Sequence, residues 1–321
     1  MWNVTLRQLK VFEAVGRHLS FSRAAEELHL TQPAVSMQVR QLEETVGSPL
    51  TEQIGKKIFL TAAGSELARH ARLIAQQLRD AEAALDALAG LRSGRLNIGF
   101  VSTTKYFAPN LLAVFRRRYP ELELRLAVHN RELIVQQLAD NQIDLAVMGR
   151  PPQDVPTAAE AFAEHPLTMI AAADHPLCQK TRVDPADLSG ETFLIREQGS
   201  GTRAAMELFF SEVGIEPHAW LEMSGNETIK QSVMANMGIA FLSEHTVGLE
   251  MSVGRLKRLR MDGLPVMRRW YVVHLKEKRL SPVACAFRDF LLSEGASLIA
   301  AAVGEGPEQA SDDVRVAARS I

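Results

Sequence analysis

Residues 21 to 47, FSRAAEELHLTQPAVSMQVRQLEETVG, constrain the fold more than any other stretch of the chain. In Ser22 to Leu28 the small and apolar Ala24, Ala25 and Leu28 share one side, which lets a neighbouring helix come close. After His29-Leu30-Thr31, the residues Val35, Val39, Leu42 and Val46 recur at the period of a helix with one buried face. Thr31 is placed to cap that helix, and Pro33 lies in its first turn, where a missing N–H is tolerated. The pattern predicts two short helices joined by a tight turn. The other face of the second helix shows Gln32, Ser36, Met37 and Arg40. Gln pairs with adenine, Ser with base edges or phosphates, and Arg with guanine or phosphate, as a major-groove reading helix requires. Leu6, Leu9, Phe12 and Val15 predict a preceding helix that completes a three-helix core. Residues 49 to 61 predict two strands around a Gly55-Lys56-Lys57 tip, a wing with Lys56 and Lys57 placed for the phosphate backbone.

Charge limits how such a head binds DNA. The whole chain has a formal net charge of -2, and residues 1 to 60 hold seven basic side chains against six acidic ones. Binding therefore rests on local placement of Arg40, Lys56 and Lys57 and on more than one head per complex. The next segment supplies the second head. Leu67, Ala71, Ile74, Leu78, Ala81, Leu85 and Leu88 alternate spacings of four and three, with Arg69, Arg72, Arg79, Glu82 and Asp86 between them. This heptad seam predicts a linker helix over 61–91, roughly 40 Å long, that pairs with a second copy.

Residues 5 to 64 resemble the winged helix-turn-helix of the LysR-type bacterial transcriptional regulators. The residues that carry the resemblance include Ala24-Ala25, Thr31-Gln32-Pro33-Ala34-Val35-Ser36, Leu42-Glu43, Gly47, Pro49-Leu50 and Leu60-Thr61 with Gly64. The resemblance implies DNA contacts from Gln32, Pro33, Ser36 and Met37. It fails at the wing, where the family's Leu-Phe-x-Arg is Leu50-Thr51-Glu52-Gln53. The arginine's minor-groove role therefore has no counterpart, and Lys56 or Lys57 are the candidate substitutes.

From Leu96 the chain alternates apolar runs with helical patterns. Strands are expected at Leu96–Val101, 122–128, 144–148, 168–172, 193–196, 239–242 and 269–275, and helices between them, which implies parallel sheets with crossovers. The whole reads as a multi-domain protein: a DNA-binding head over 1–60, the linker helix over 61–91, an α/β effector domain of two lobes over 92–293, and a disordered tail over 294–321. Lobe I covers about 94–166 and 269–293, and lobe II about 167–268. The effector domain resembles periplasmic solute-binding proteins, as the family's does, with a cleft between lobes. Ser102, Thr103 and Thr104 follow a strand and precede a helix; Ser200, Thr202 and Arg203 open a helix after a glycine turn. Hydroxyls, helix N–H groups and a guanidinium suit an anion; ordinary helix capping and an Arg203–Glu197 pair account for either segment alone equally, but two such segments in corresponding places favour the anion. Asn130 and Asn226 are weaker candidates.

The segments around 102–109, 130–133, 196–203 and 226–231 resemble the branch of the family that controls carbon-dioxide-fixation operons of the Calvin–Benson cycle. That resemblance implies a non-covalent effector, with a phosphosugar, phosphoenolpyruvate or NADPH as candidates, and no cofactor. It also implies promoter DNA as partner, assembly as a homodimer doubled to a homotetramer, and contact with RNA polymerase. Control of aromatic catabolism or amino-acid synthesis is the alternative within the family, and a solute-binding component the alternative outside it. No nucleophile elbow, P-loop or metal-binding histidine pair is present, so neither catalytic nor metal-ligating residues are assigned. Cys178 and Cys285 lack metal or disulfide spacing. The chain shows no secretory signal and no membrane-length apolar run, which predicts a cytoplasmic protein without membrane contact.

Overall fold

The computed structural model of the protein describes residues 3–55, 57–88, 94–217 and 219–303. They fall into two compact units, one holding the head, most of the long helix that follows it and the short segment Asp140–Gln142, the other holding the rest.

In the first unit each helix begins and ends where its capping residues dictate. Helix α1 (Leu6–His18) starts with a capping box, in which the Gln8 amide donates to Thr5 Oγ1 at 3.2 Å and the Thr5 amide donates to Gln8 Oε1 at 2.9 Å. Helix α2 (Phe21–Leu28) is capped by Ser20 and stopped by His29 in a left-handed conformation. Helix α3 (Gln32–Val46) is capped by Thr31 and stopped by Gly47 at φ 78°. Phe12, Val15, Ala24, Val35, Val39 and Leu42 close the core between them. The Glu43 carboxylate accepts from the amides of Leu50 and Thr51 at 2.8 and 3.1 Å, which ties the hairpin β1 (Thr51–Ile54) and β2 (Lys57–Leu60) to α3. Helix α4 (Ala62–Leu88) then begins against Leu50, and a Cβ at Gly64 would lie 1.9 Å from the Leu50 carbonyl oxygen. Only glycine permits that approach.

The second unit is built on one sheet. In chain order its elements are β3 (Gly94–Val101), α5 (Ala108–Arg118), β4 (Leu122–His129), α6 (Arg131–Ala139), β5 (Leu145–Met148), β6 (Thr157–Ala172), β7 (Thr192–Arg196), α7 (Gly201–Val213), β8 (Ala219–Met223), α8 (Asn226–Met234), β9 (Ile239–Ser243), α9 (Gly248–Ser252), β10 (Leu256–Arg258), β11 (Val266–Leu275) and α10 (Pro282–Val303). The strand order is β4-β3-β5-β11-β6-β9-β7-β8, with β10 on β6. β3 runs parallel to β4 and β5, and β7 runs parallel to β8 and β9. The antiparallel pair β6 and β11 joins these parallel halves into two lobes. Phe100, Phe107, Phe115, Trp270 and Phe287 fill one lobe. Phe193, Phe209, Phe210 and Phe241 fill one face of the other, and Leu194, Ile229 and Leu242 its opposite face.

Two expectations change here. The strand expected at 168–172 begins at Thr157 and spans 16 residues, because its first half pairs with β11 and its second with β9. The tail expected from Glu294 does not begin there. Helix α10 continues to Val303, since Gly295 lies against the Phe162 ring and Ile299 is buried. Residues 304–321, Lys56 and the 89–93 boundary lie outside the described residues.

Candidate functional site

On the head, the α3 face that opposes the core carries Gln32, Pro33, Met37 and Arg40 exposed and Ser36 half-buried. Met37 is 54 % exposed, so a thioether is held in water beside Gln32 and Ser36 rather than in the core. Arg17 is consumed by Glu13 and Glu27, which also hold its guanidinium above its ordinary range. Neither Arg40 nor Lys57 has a carboxylate within ion-pairing distance among the described residues. Along α4, Ala68 and Ala71 are buried while Ile74 and Leu78 are 39 % and 45 % exposed. The apolar seam thus runs out of the head and into solvent in a single copy. The side chains of Leu85 and Leu88 lie outside the described residues.

In the second unit, the ends of β3, β5 and α7 and the pair β6 and β11 surround a cavity of about 30 Å³. Of the expected residues, Ser102, Thr103, Asn130, Ser200 and Thr202 line it. Three do not. Thr104 is fully buried and its hydroxyl donates to the Val101 carbonyl at 2.9 Å, so it closes a turn. Arg203 lines the larger groove next to the cavity instead, held by Glu207 at 2.8 Å and by Glu222, both of which keep its guanidinium charged. Asn226 lies behind the cavity, its Oδ1 accepting from the buried Arg196. The expected Arg203–Glu197 pair is replaced by Arg196–Glu197, a two-pronged contact at 2.7 Å on each prong.

The cavity's chemistry comes chiefly from side chains that the sequence did not mark. Arg131, Arg150, Arg268, His165 and Trp270 also line it, and its lining contains no carboxylate. None of the three arginines has an acidic partner within ion-pairing distance among the described residues; Arg131 donates only to the carbonyls of Arg150 and Pro151, at 3.1 and 3.2 Å. Burial lowers the pKa of Arg268, and Arg150 and Arg131 lower it further by repulsion. Burial and Arg150 do the same to Arg131, against a weaker pull from Asp154. These shifts mark an uncompensated positive potential. His165 is 5 % exposed, and neither ring nitrogen has a hydrogen-bond partner. Burial holds its pKa well below the ordinary value, helped by His245 and Arg268.

A larger open groove of about 660 Å³ adjoins this cavity and shares Arg131, Arg150, Ser200 and Gly201 with it. Across the mouth the lobes are joined directly. Arg196 Nη2 on one donates to Ser102 Oγ on the other at 3.0 Å. The Tyr106 hydroxyl donates to Glu227, and Lys230 Nζ sits 4.6 Å over the Tyr106 ring. Arg268 and His165 were missed because both lie just before the strands expected at 269–275 and 168–172, in the part of each strand that the sequence did not mark. Only the register of β6 with β11, which sets Arg268 directly opposite His165, puts both on one face. A period-two reading of Arg268-x-Trp270 was the one available signal.

A DNA-reading head coupled to a two-lobed binding domain with a cationic cleft defines a ligand-responsive transcription regulator. Residues 6–65 match the bacterial regulatory helix-turn-helix of the lysR family, and residues 89–296 match the LysR substrate binding domain. The chain belongs to the LysR family of DNA-binding transcriptional regulators and is not an enzyme. It is 51 % identical over 296 residues to the RuBisCO operon transcriptional regulator of Allochromatium vinosum, covering 92 % of this chain and 98 % of that one. It is 54 % identical over 286 residues to the HTH-type transcriptional regulator CbbR of Rhodospirillum rubrum, covering 89 % and 95 %. Among solved structures, the Synechocystis PCC6803 CcmR regulatory domain in complex with 2-PG matches 62 % of this chain and 96 % of its own, with a TM-score of 0.60 and 38 % identity. Among the described residues no helix is long and apolar enough to cross a membrane.

Proposed function

We propose that this protein regulates transcription of a carbon-fixation operon in the cytoplasm, in response to a small anionic metabolite bound between its lobes. Gln32, Pro33, Ser36 and Met37 read bases, and Arg40 with Lys56 and Lys57 engage phosphates. Two α4 helices pair along Ile74 and Leu78, and the dimers pair again into a tetramer. The carbon-fixation assignment is supported by the half-identical regulators of RuBisCO operons. The observation that carries the effector assignment is the small cavity lined by Arg131, Arg150 and Arg268, whose own lining holds no carboxylate. Three unpaired guanidiniums in one recess repel each other, and an anion removes that repulsion. The 2-PG held by the CcmR regulatory domain supports the same reading, with phosphosugars, phosphoenolpyruvate and NADPH as further candidates.

A ligand that touches Ser102 and Arg131 on one lobe and Ser200 and Thr202 on the other binds one lobe orientation better than others. Only that differential affinity can alter how paired dimers space their heads on DNA. Footprinting on a promoter upstream of a RuBisCO operon, with and without 2-PG, phosphoenolpyruvate and NADPH, tests the proposal. A protected region that shortens or shifts with one of them is expected. Operator binding that responds to none of them refutes the effector assignment, and no preference for that promoter over random DNA refutes the operon assignment.

A further inference from the structure

The lobes meet on two sides of the cavity, and the two sides are built differently. On one, Arg196 is 2 % exposed and donates across to Ser102 Oγ at 3.0 Å, while Glu197 and Asn226 of its own lobe hold the rest of its guanidinium. Beside it the buried Lys230 is fixed by Glu227 and Glu250 at 2.8 Å each. Its ammonium lies 4.6 Å over the ring of Tyr106 from the opposite lobe, and the Tyr106 hydroxyl donates to Glu227. A desolvated cation on an aromatic face and charge-assisted hydrogen bonds are strong contacts. On the other side the first turn of α6 faces the turn 199–201. Among the described residues one hydrogen bond joins the lobes there, from the Glu132 amide to the Gly199 carbonyl at 3.3 Å. Gly199, at φ 75°, offers no side chain to interlock, and a Cβ there would lie 3.0 Å from Glu132 Cβ. The cavity itself has room for about two waters, so a metabolite enters only when the lobes part.

We infer that the cleft is clasped on the side of Arg196, Tyr106 and Lys230 and gated on the other, so that a ligand enters by parting Glu132 from Gly199 while the clasp stays shut. This rests on the anion-cleft reading above. A bond between neutral backbone groups is weaker than either clasp contact, and the turn Gln198-Gly199-Ser200-Gly201 has two glycines that let it move. The open groove leads to this gate: Glu132, Gly199 and Gly201 line it, and Ser102, Tyr106, Arg196 and Lys230 do not. The gate contact belongs to the closed form whether the cavity is empty or filled. Weakening it therefore speeds entry and exit by the same factor and leaves the dissociation constant unchanged. The clasp persists through opening, so weakening it changes neither rate.

Stopped-flow tryptophan fluorescence of the full-length protein follows binding of 2-PG, the molecule held by the CcmR regulatory domain, because Trp270 lines the cavity. Glu132→Pro removes the amide donor at the second position of α6, a position that Pro33 and Pro109 occupy in α3 and α5. Relative to Glu132→Ala, which keeps the amide, it should raise the association and dissociation rates together by about 2- to 12-fold. Tyr106→Phe, which removes the hydrogen bond to Glu227 and keeps the ring under Lys230, should change neither rate. Without ligand, deuterium uptake at the Glu132 amide should rise in Gly199→Ala and stay at the parent value in Tyr106→Phe. Equal rates in the two Glu132 variants, faster binding or faster uptake in Tyr106→Phe, or unchanged uptake in Gly199→Ala overturns the gate and leaves the anion cleft standing. If 2-PG does not bind the parent protein, its role as effector falls, and deuterium uptake alone upholds or overturns the gate.

Discussion

Replacing Arg268 by Gln separates a ligand-binding cation from a structural one, because the two roles predict opposite effects. In the free protein Arg268 is half-buried, has no carboxylate partner, and is repelled by Arg150 and Arg131. Removing its charge should therefore leave the unfolding free energy within about 0.5 kcal/mol of the parent, or raise it slightly. Bound to an anion, the same guanidinium makes a charge-assisted hydrogen bond worth roughly 1.5–3 kcal/mol. Its loss should weaken phosphoenolpyruvate binding by about 10- to 150-fold. Thermal and urea unfolding report both quantities together. At a ligand concentration of about 100 times the parent dissociation constant, ligand stabilises the parent by about 2.7 kcal/mol. A variant that binds about 50-fold more weakly retains only ~0.6 kcal/mol at that concentration. Arg268 is structural, and the reasoning about the cleft is wrong, if the free variant is destabilised by more than about 1 kcal/mol while ligand stabilisation is unchanged.

Three further outcomes follow from the geometry. Gln32→Ala and Ser36→Ala should each cost about 1–3 kcal/mol of specific operator binding with little effect on random DNA at the same salt; equal losses on both, in a gel-shift series, contradict the assignment of that face. Ile74→Asp with Leu78→Asp places charges in the exposed part of the α4 seam and should reduce the oligomer in sedimentation. An unchanged oligomer means that the seam does not pair. His245 is held at about 4 by burial and His165 is lowered as well, against an unfolded value near 6.5. As pH falls below 6.5 the unfolded chain takes up protons that these rings cannot. Stability should therefore be full above that value, with His245 costing about 2 kcal/mol between pH 6.5 and 5 and His165 adding in the same direction. Glu244, raised by burial, opposes this in part. Urea midpoints that stay flat over that range contradict the burial of both rings.

The sequence by itself determined the head. Caps at Thr31 and Gly47 and the Val35-Val39-Leu42 stripe act over a few residues or about two helical turns, and local pattern reports local physics. It also located most strands and helices of the second unit, because a strand buried on both faces, such as Leu145–Met148, reads as an uninterrupted apolar run. Hydroxyls beside helix starts, Ser102 and Ser200, were legible for the same local reason. The cleft's cations were not. Arg131, Arg150, Arg268 and His165 come from four separate segments, and Arg268 meets His165 only because β11 pairs with β6 in one register. Arg203 shows the converse, since a glycine turn and a helix start placed it in the adjoining groove while Glu207 and Glu222 took up its charge. Likewise α10 outran its expected end because Gly295 found the Phe162 ring, a partner 133 positions earlier in the chain. Charge pairing and close packing between distant segments depend on which atoms the fold brings within a few ångströms, and no periodicity along the chain encodes that.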